Sequence, residues 1–331
     1  MHRRSVMTSL MGAAAAVLLT GMGPGLAQQP KPLTVMVFQG MQNLPLFAAQ
    51  DQGLFAKRGL TVDLKIATSS DEMRDGLAAG RYQIVHSGVD NSVALAEIAK
   101  VDTAIVLGGD NGFNRMITQA EIKSYADIRG KTVIVDAVDT AYAFLMYEML
   151  RQNGLNKGDY QIKPVGASFR RLEVMLSDKT AAASILNPPF TLRAAAAGLN
   201  DLGTAVKSVG PYQATGAYLL RSWGSANADS VVAYIQAYVE GLRWSLDPKN
   251  KAQAVKLMAE GLKLPDNVAQ RAYEIAADPT EGLSKDARLD IDGFKNVLRL
   301  RASMQGQWGG NPPPPERYLD LSYYNKAMAG L

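Results

Sequence analysis

An α/β fold of two lobes is predicted by three features of the chain. Residues 33–38 form an apolar, β-branched run that reads as a buried parallel strand; a polar loop, a helical pattern and a second strand at 60–66 follow it. The same order returns at 132–135, and strand and helix signals alternate from there to about residue 198. Beyond residue 220 the strand signals stop and helical patterns take over, so the first lobe is discontinuous and completed by the C-terminal helices. The expected division is 33–117 for the first part of lobe 1, 118–214 for lobe 2 and 215–331 for the return to lobe 1. A length of 331 residues fits two domains.

The elements follow in order. Loop 39–43 leads to Pro45, which suits a first helical turn because its φ is preset and its missing N–H would have no partner there. Leu46, Phe47 and Leu54 share one side of that helix. Gly53 and Gly59 stop successive turns, since glycine enters the left-handed region without a Cβ clash. Thr68-Ser69-Ser70-Asp71 is a cap cluster before a helix that Gly80 closes. A short strand at 82–86 ends in the polar turn 87–91; a helix at 93–99 and a strand at 103–107 follow. Residues 115–118 are expected as a crossing strand. In the second unit, strand 132–135 and loop 136–140 precede a helix at 141–150 that has Ala141, Phe144, Leu145 and Met149 on one face. Strand 162–165, helix 169–176, strand 181–186 and helix 190–197 repeat the alternation, and 215–220 is again strand-like. Helices are expected at 229–246, 252–260, 266–276 and 292–302, with the prolines 312–315 as a surface strap.

Residues 1–27 read as a secretory signal. Arg3 and Arg4 form its basic start, 12–20 its short apolar run and Gly25-Leu26-Ala27 a small-x-small cleavage site. The Arg3-Arg4 pair leaves the Sec and twin-arginine routes both open. Removal of these two arginines takes the formal charge from +4 to about +2, which gives no electrostatic case for nucleic acid or an anionic membrane. The chain has no cysteine, hence no disulfide and no residue for lipid attachment. A soluble periplasmic monomer is the expectation.

The pattern G-x-F-x-x-x-G-L-x-V, here Gly53, Phe55, Gly59, Leu60 and Val62, resembles the opening of the periplasmic solute-binding proteins of ABC importers for nitrate, sulfonates, taurine and thiamine precursors (pyrimidines). Asp127-Ile128-Arg129-Gly130-Lys131-Thr132-Val133 is similar to that family's entry into its second lobe. Residues 181–198 resemble its strand, proline turn and helix, and Leu319-Asp320-Leu321-Ser322-Tyr323-Tyr324 its closing segment. The resemblance implies a type II periplasmic-binding fold with two crossing segments as hinge and a central cleft. It also implies a receptor that closes on a small organic solute and delivers it to an ABC permease in the inner membrane.

In such a receptor, loops at strand ends and helix N-termini converge on the cleft and offer free N–H groups. By position the candidate contacts are Gln39, Met41, Gln42 and Asn43 in the first loop, Ser69 and Ser70 in the second, and Ser87, Asp90 and Asn91 after the third strand. From the second lobe come Asp136, Asp139, Thr140 and Asn187, with Tyr142, Phe190 and Tyr212 as walls. Each Ser, Thr, Asp or Asn among them equally suits a helix cap. Nitrate and sulfonate receptors place Ser or Thr at the second-lobe helix start, whereas Asp139 precedes Thr140 here. Carboxylates facing an anion without compensating Arg or Lys would be costly, and none stands in the neighbouring loops. A neutral or amine-bearing solute is therefore expected over an oxyanion.

No cofactor and no metal are expected: the sequence has one histidine outside the export segment, His86, and no spaced carboxylate set. His86 reads as a hydrogen-bonded core residue and Arg170-Arg171 as a solvated pair. G-x-G-x-x-G, G-x-x-x-x-G-K-[ST] and G-x-S-x-G are absent. The alternatives are an enzyme on the same fold, of thiamine-pyrimidine or menaquinone-pathway type, or a ligand-sensing partner of a membrane kinase. Export and the lack of cysteine argue against the enzyme.

Overall fold

The computed structural model describes residues 29–279 and 281–331; the expected export segment, 1–27, lies outside the described residues. Ten strands are present among them: β1 Lys31–Val37, β2 Leu60–Ile66, β3 Ile84–Gly88, β4 Thr103–Asp110, β5 Arg115–Thr118, β6 Thr132–Val135, β7 Gln161–Pro164, β8 Ala181–Leu186, β9 Asn200–Thr204 and β10 Thr215–Leu220. They form two five-stranded sheets, ordered β2-β1-β3-β10-β4 and β7-β6-β8-β5-β9. In each, four strands run in one direction and one strand next to a chain crossing is inserted antiparallel between two of them, β10 in the first sheet and β5 in the second. The chain crosses between the sheets at 111–114 and again before β10.

Local sequence explains most of this. The run Leu33–Val37 is apolar because β1 is central and covered on both faces, with Val35 and Val37 fully buried. Gly59 has φ +67°, so the chain can stop its turn and start β2 beside β1. β9 escapes sequence reading: Asn200–Thr204 has no apolar pattern, and it is a strand because it lies at an edge, paired with β5 and held by the ion pair of Arg115 with Asp201. The helix Ser322–Ala329 is also unforeseen; it packs against Ala228–Leu246 through Tyr323 and Ala327.

The helical return covers the first sheet. Ala228–Leu246 lies on Leu44–Asp51, and the contact is close because residue 241 is glycine. A Cβ there would sit 2.4 Å from the Pro45 carbonyl oxygen and 3.0 Å from the Ala49 Cβ. Gly241→Ala should therefore lower stability by about 1–2 kcal/mol, although alanine is the better helix former by roughly 1 kcal/mol. A urea midpoint equal to or above that of the wild type would show that the two helices separate without cost.

His86 lies in β3 beneath this layer. Its Nε2 is 2.8 Å from the Tyr234 hydroxyl and its ring stacks on Tyr238 at 4.9 Å. Burial pushes its pKa down to about 3, so the ring is neutral and structural, as its apolar surroundings in the sequence suggested.

Candidate ligand-binding site

A partly open cavity lies between the two sheets. Its empty space, solvent at the mouth included, is about 470 Å³, of which the centre of a water molecule can reach only about 40 Å³. It is narrow, and sized for a small solute. The first lobe supplies Phe38 and Gln42 after β1, Ser70 and Asn91 at helix starts, and Ser87 and Gly88 at the end of β3. The second supplies Asp136 after β6, Thr140, Ala141 and Tyr142 around the start of helix Ala141–Gln152, Asn187 after β8, and Ala167, Ser168 and Arg171 around the start of helix Ser168–Ser177. Thr215 of β10, at the second crossing, completes the wall. Strand ends and helix N-termini meet here because parallel strands that run the same way leave their C-terminal loops on one edge.

Of the residues singled out by sequence, Gln42, Ser70, Ser87, Asn91, Asp136, Thr140 and Asn187 line the cavity, with Tyr142 beside them. The others lie elsewhere, for local reasons. Residues Met41–Asn43 fold into a 3-10 turn that buries Met41 in the first-lobe core and turns the Asn43 amide onto the Phe38 carbonyl at 2.7 Å. Ser69 caps its helix by accepting from the Glu72 N–H, and Gln39 reaches the Leu262 carbonyl. Tyr212 and Phe190 are core side chains.

Asp90 and Asp139 correct the electrostatic premise drawn from sequence. Neither is uncompensated. Asp90 takes a two-pronged contact from Arg301, at 2.6 and 2.8 Å, and both side chains are buried. Asp139 takes two bonds from Arg74, at 3.2 and 3.3 Å. Arg301 comes from the C-terminal helix Ile291–Gln305 and Arg74 from helix Ser70–Ala78, so neither is near its carboxylate in the chain.

These contacts also tie the lobes together. Ser70 donates its hydroxyl to Asp136, and its N–H reaches the same carboxylate at 3.3 Å. Arg301 adds a bond to the Asp139 carbonyl at 3.1 Å, and the Ala167 N–H bonds the Thr68 carbonyl at 3.0 Å.

Arg171 is the residue that sequence reading misplaced. It is 2 % exposed, not solvated, whereas Arg170 is exposed. The signal was there: Ser168, Arg171, Leu172 and Met175 recur at helical spacing and form the buried stripe of their helix. Its two terminal nitrogens donate to Ser168 at 2.9 Å and Ser184 at 3.3 Å, its plane lies 5.7 Å from the centre of the Tyr142 ring, and its Nε–H has no partner. Burial pulls its pKa below the ordinary arginine value, and the negative charge of Asp136 offsets this only in part. No ion pair holds it among the described residues. Gln42 Oε1 and Asn91 Oδ1 are likewise buried and unpartnered. Among the described residues no group of three or more His, Asp or Glu side chains is placed to hold a metal ion, and no helix is long and apolar enough to cross a membrane.

Comparison with solved structures gives the same fold throughout. A protein of Bordetella bronchiseptica RB50 matches with TM-score 0.78 and 19% identity over 90% of this chain and 97% of its own. The periplasmic nitrate-binding protein NrtA of Synechocystis PCC 6803 matches with TM-score 0.75 and 13% identity, covering 91% and 89%. The periplasmic aliphatic sulphonate-binding protein SsuA of Escherichia coli matches with TM-score 0.67 and 15% identity, covering 88% and 92%. No curated protein sequence matches the chain. The fold is the type II periplasmic-binding fold, two α/β lobes about a central cleft. The family model described as the NMT1-like family matches residues 26–259, most of the chain. This protein belongs to the NMT1-like family.

Proposed function

We propose that the protein is a periplasmic receptor that encloses a small organic solute between its lobes and delivers it to an ABC permease. The observation that carries this reading is the cavity: it is lined from both lobes and closed by bonds that span them, so opening the lobes would both admit and release a solute. Structural neighbours that are a ligand-binding component of an ABC-type import system and a periplasmic nitrate-binding protein support it. In this reading 33–117 and 215–331 make up the first lobe and 118–214 the second. Export by cleavage near Ala27, a monomeric state and the absence of catalysis belong to the same reading.

The test is a thermal-shift screen of residues 28–331, stripped of carried-over ligand, against carboxylates, sulfonates, nitrate, pyrimidines, amines and amino acids. A solute at 100 times its dissociation constant should add about 2.7 kcal/mol. Turnover of any panel compound would overturn the reading in favour of an enzyme. The ground for the neutral or amine-bearing solute expected from sequence narrows to Asp136, which lines the cavity, because Asp90 and Asp139 are paired. An N–H donor on the solute gains a different one in the free oxygens of Gln42 and Asn91.

A further inference from the structure

We propose that the solute is a small carboxylate that also carries an N–H donor, with its carboxylate on Arg171 and its N–H on Gln42 Oε1 and Asn91 Oδ1. This deepens the receptor reading and rests on it. A guanidinium has five N–H donors; Arg171 gives two to protein hydroxyls and leaves Nε–H without a partner in a buried site. Serine hydroxyls do not neutralise it, and an unpaired buried cation is unfavourable until an anion arrives. Asp136 does not serve as that anion: it lies outside ion-pair contact, and Ser70 engages both of its oxygens.

The shape and the other free groups select among anions. One cation calls for a monoanion. The guanidinium fork matches a planar two-oxygen head, which also suits so narrow a space. A sulfonate brings a third oxygen, and the remaining polar groups nearby offer it acceptors: the Asp136 carboxylate and the two amide oxygens. Those amides are oriented by their own nitrogens. Gln42 Nε2 donates to the Phe38 carbonyl at 3.3 Å, and Asn91 Nδ2 to the hydroxyls of Ser70 and Ser87 at 3.4 Å. Their oxygens therefore remain to accept, which a solute N–H satisfies.

The experiment uses the full mature chain, stripped of ligand, as wild type and as Arg171→Met. Glycine, acetate, methylamine and methanesulfonate are titrated at equal ionic strength, with melting midpoint and calorimetric affinity as readouts. In the wild type, glycine should bind more tightly than acetate, and acetate more tightly than methanesulfonate or methylamine. Arg171→Met should weaken glycine by roughly 10- to 100-fold, the loss of charged hydrogen bonds. Without ligand, Arg171→Met should melt at or above the wild-type temperature, because it removes an unpaired buried charge. A variant that melts well below wild type would make Arg171 a structural residue and overturn the proposal. So would a wild type that ignores acetate, or one that prefers methylamine or methanesulfonate. If another solute of the wider panel bound wild type and Arg171→Met alike, the carboxylate assignment would fall while the receptor reading stood.

Discussion

Replacing Arg301 with Met should destabilise the protein by about 3–5 kcal/mol, the range for a buried ion pair that loses one partner. Arg301 is fully buried and Asp90 is 1 % exposed. Two charge-assisted bonds join them, a third from Arg301 reaches Gln305 at 3.0 Å, and the guanidinium packs 5.1 Å from the centre of the Phe144 ring. Methionine fills much of the same space, so the main loss is electrostatic: the Asp90 carboxylate stays in the interior with only the start of helix Asp90–Glu97 to favour it. Adding Asp90→Asn should recover much of the loss, because the double variant buries no lone charge. Urea unfolding of the two single variants and the double variant measures the coupling. A loss below about 1 kcal/mol for Arg301→Met would show that water reaches the pair and that its burial contributes little. Because Arg301 also bonds the Asp139 carbonyl across the cleft, the same variant should favour the open arrangement, visible as an increased radius of gyration in solution scattering.

A second large effect concerns Asp110, at the end of β4 where the chain leaves the first sheet. Its carboxyl is buried, accepts the Gly112 N–H at 2.9 Å and the Thr215 hydroxyl, and so joins the two crossings. Burial pushes its pKa up to about 6 from an ordinary 3.8, against the lowering effect of those two bonds. The folded state thus binds this proton more tightly than the unfolded chain does. The stabilising contribution is complete below about pH 4 and is lost as pH rises through 6, on the order of 3 kcal/mol in all. Asp110→Asn should be at least as stable as wild type at neutral pH, and the two stability curves should converge as the pH falls towards 4. Denaturation midpoints at intervals from pH 4 to 7 decide it. A constant offset between the curves would mean that Asp110 titrates alike in the folded and unfolded chains.

His86 has the opposite sign. Its folded pKa, about 3, lies below the ordinary value of 6.5, so its contribution is present above pH 6.5 and lost as the pH falls through 3. Between about pH 4 and 6 the two groups act in opposite directions, and the Asp110 term is isolated by difference against its Asn variant.

How far these features were legible depends on how local their causes are. The first strand, its loop and its helix could be read because each signal sits within a few residues: an apolar run, Pro45 at a helix start, Gly53 and Gly59 at stops. Helices such as Ala228–Leu246 were legible for the same reason, since their apolar stripe recurs along one segment. β9 was not, because an edge strand needs only one neighbour and no apolar face. Among the polar loop residues, sequence found the neighbourhood of the cavity but not which side chains face it. Met41 and Gln42 are adjacent, yet one is core and the other lines the cavity, because the chain turns 3-10 between them.

By itself the sequence determined the alternation of strands and helices, the two-lobed α/β architecture and the edge of the sheets to which polar loops converge. These follow from periodicity and from turn residues, which act over a few positions. Only the tertiary structure decided the charge of the site. Asp90 and its arginine are 211 residues apart in the chain, and Arg171, one of two adjacent arginines, is buried because the face it shares with Leu172 and Met175 packs inward. Whether a charge is paired, solvated or left waiting for a ligand depends on what the fold brings within a few ångströms of it, and no run of neighbouring residues carries that information.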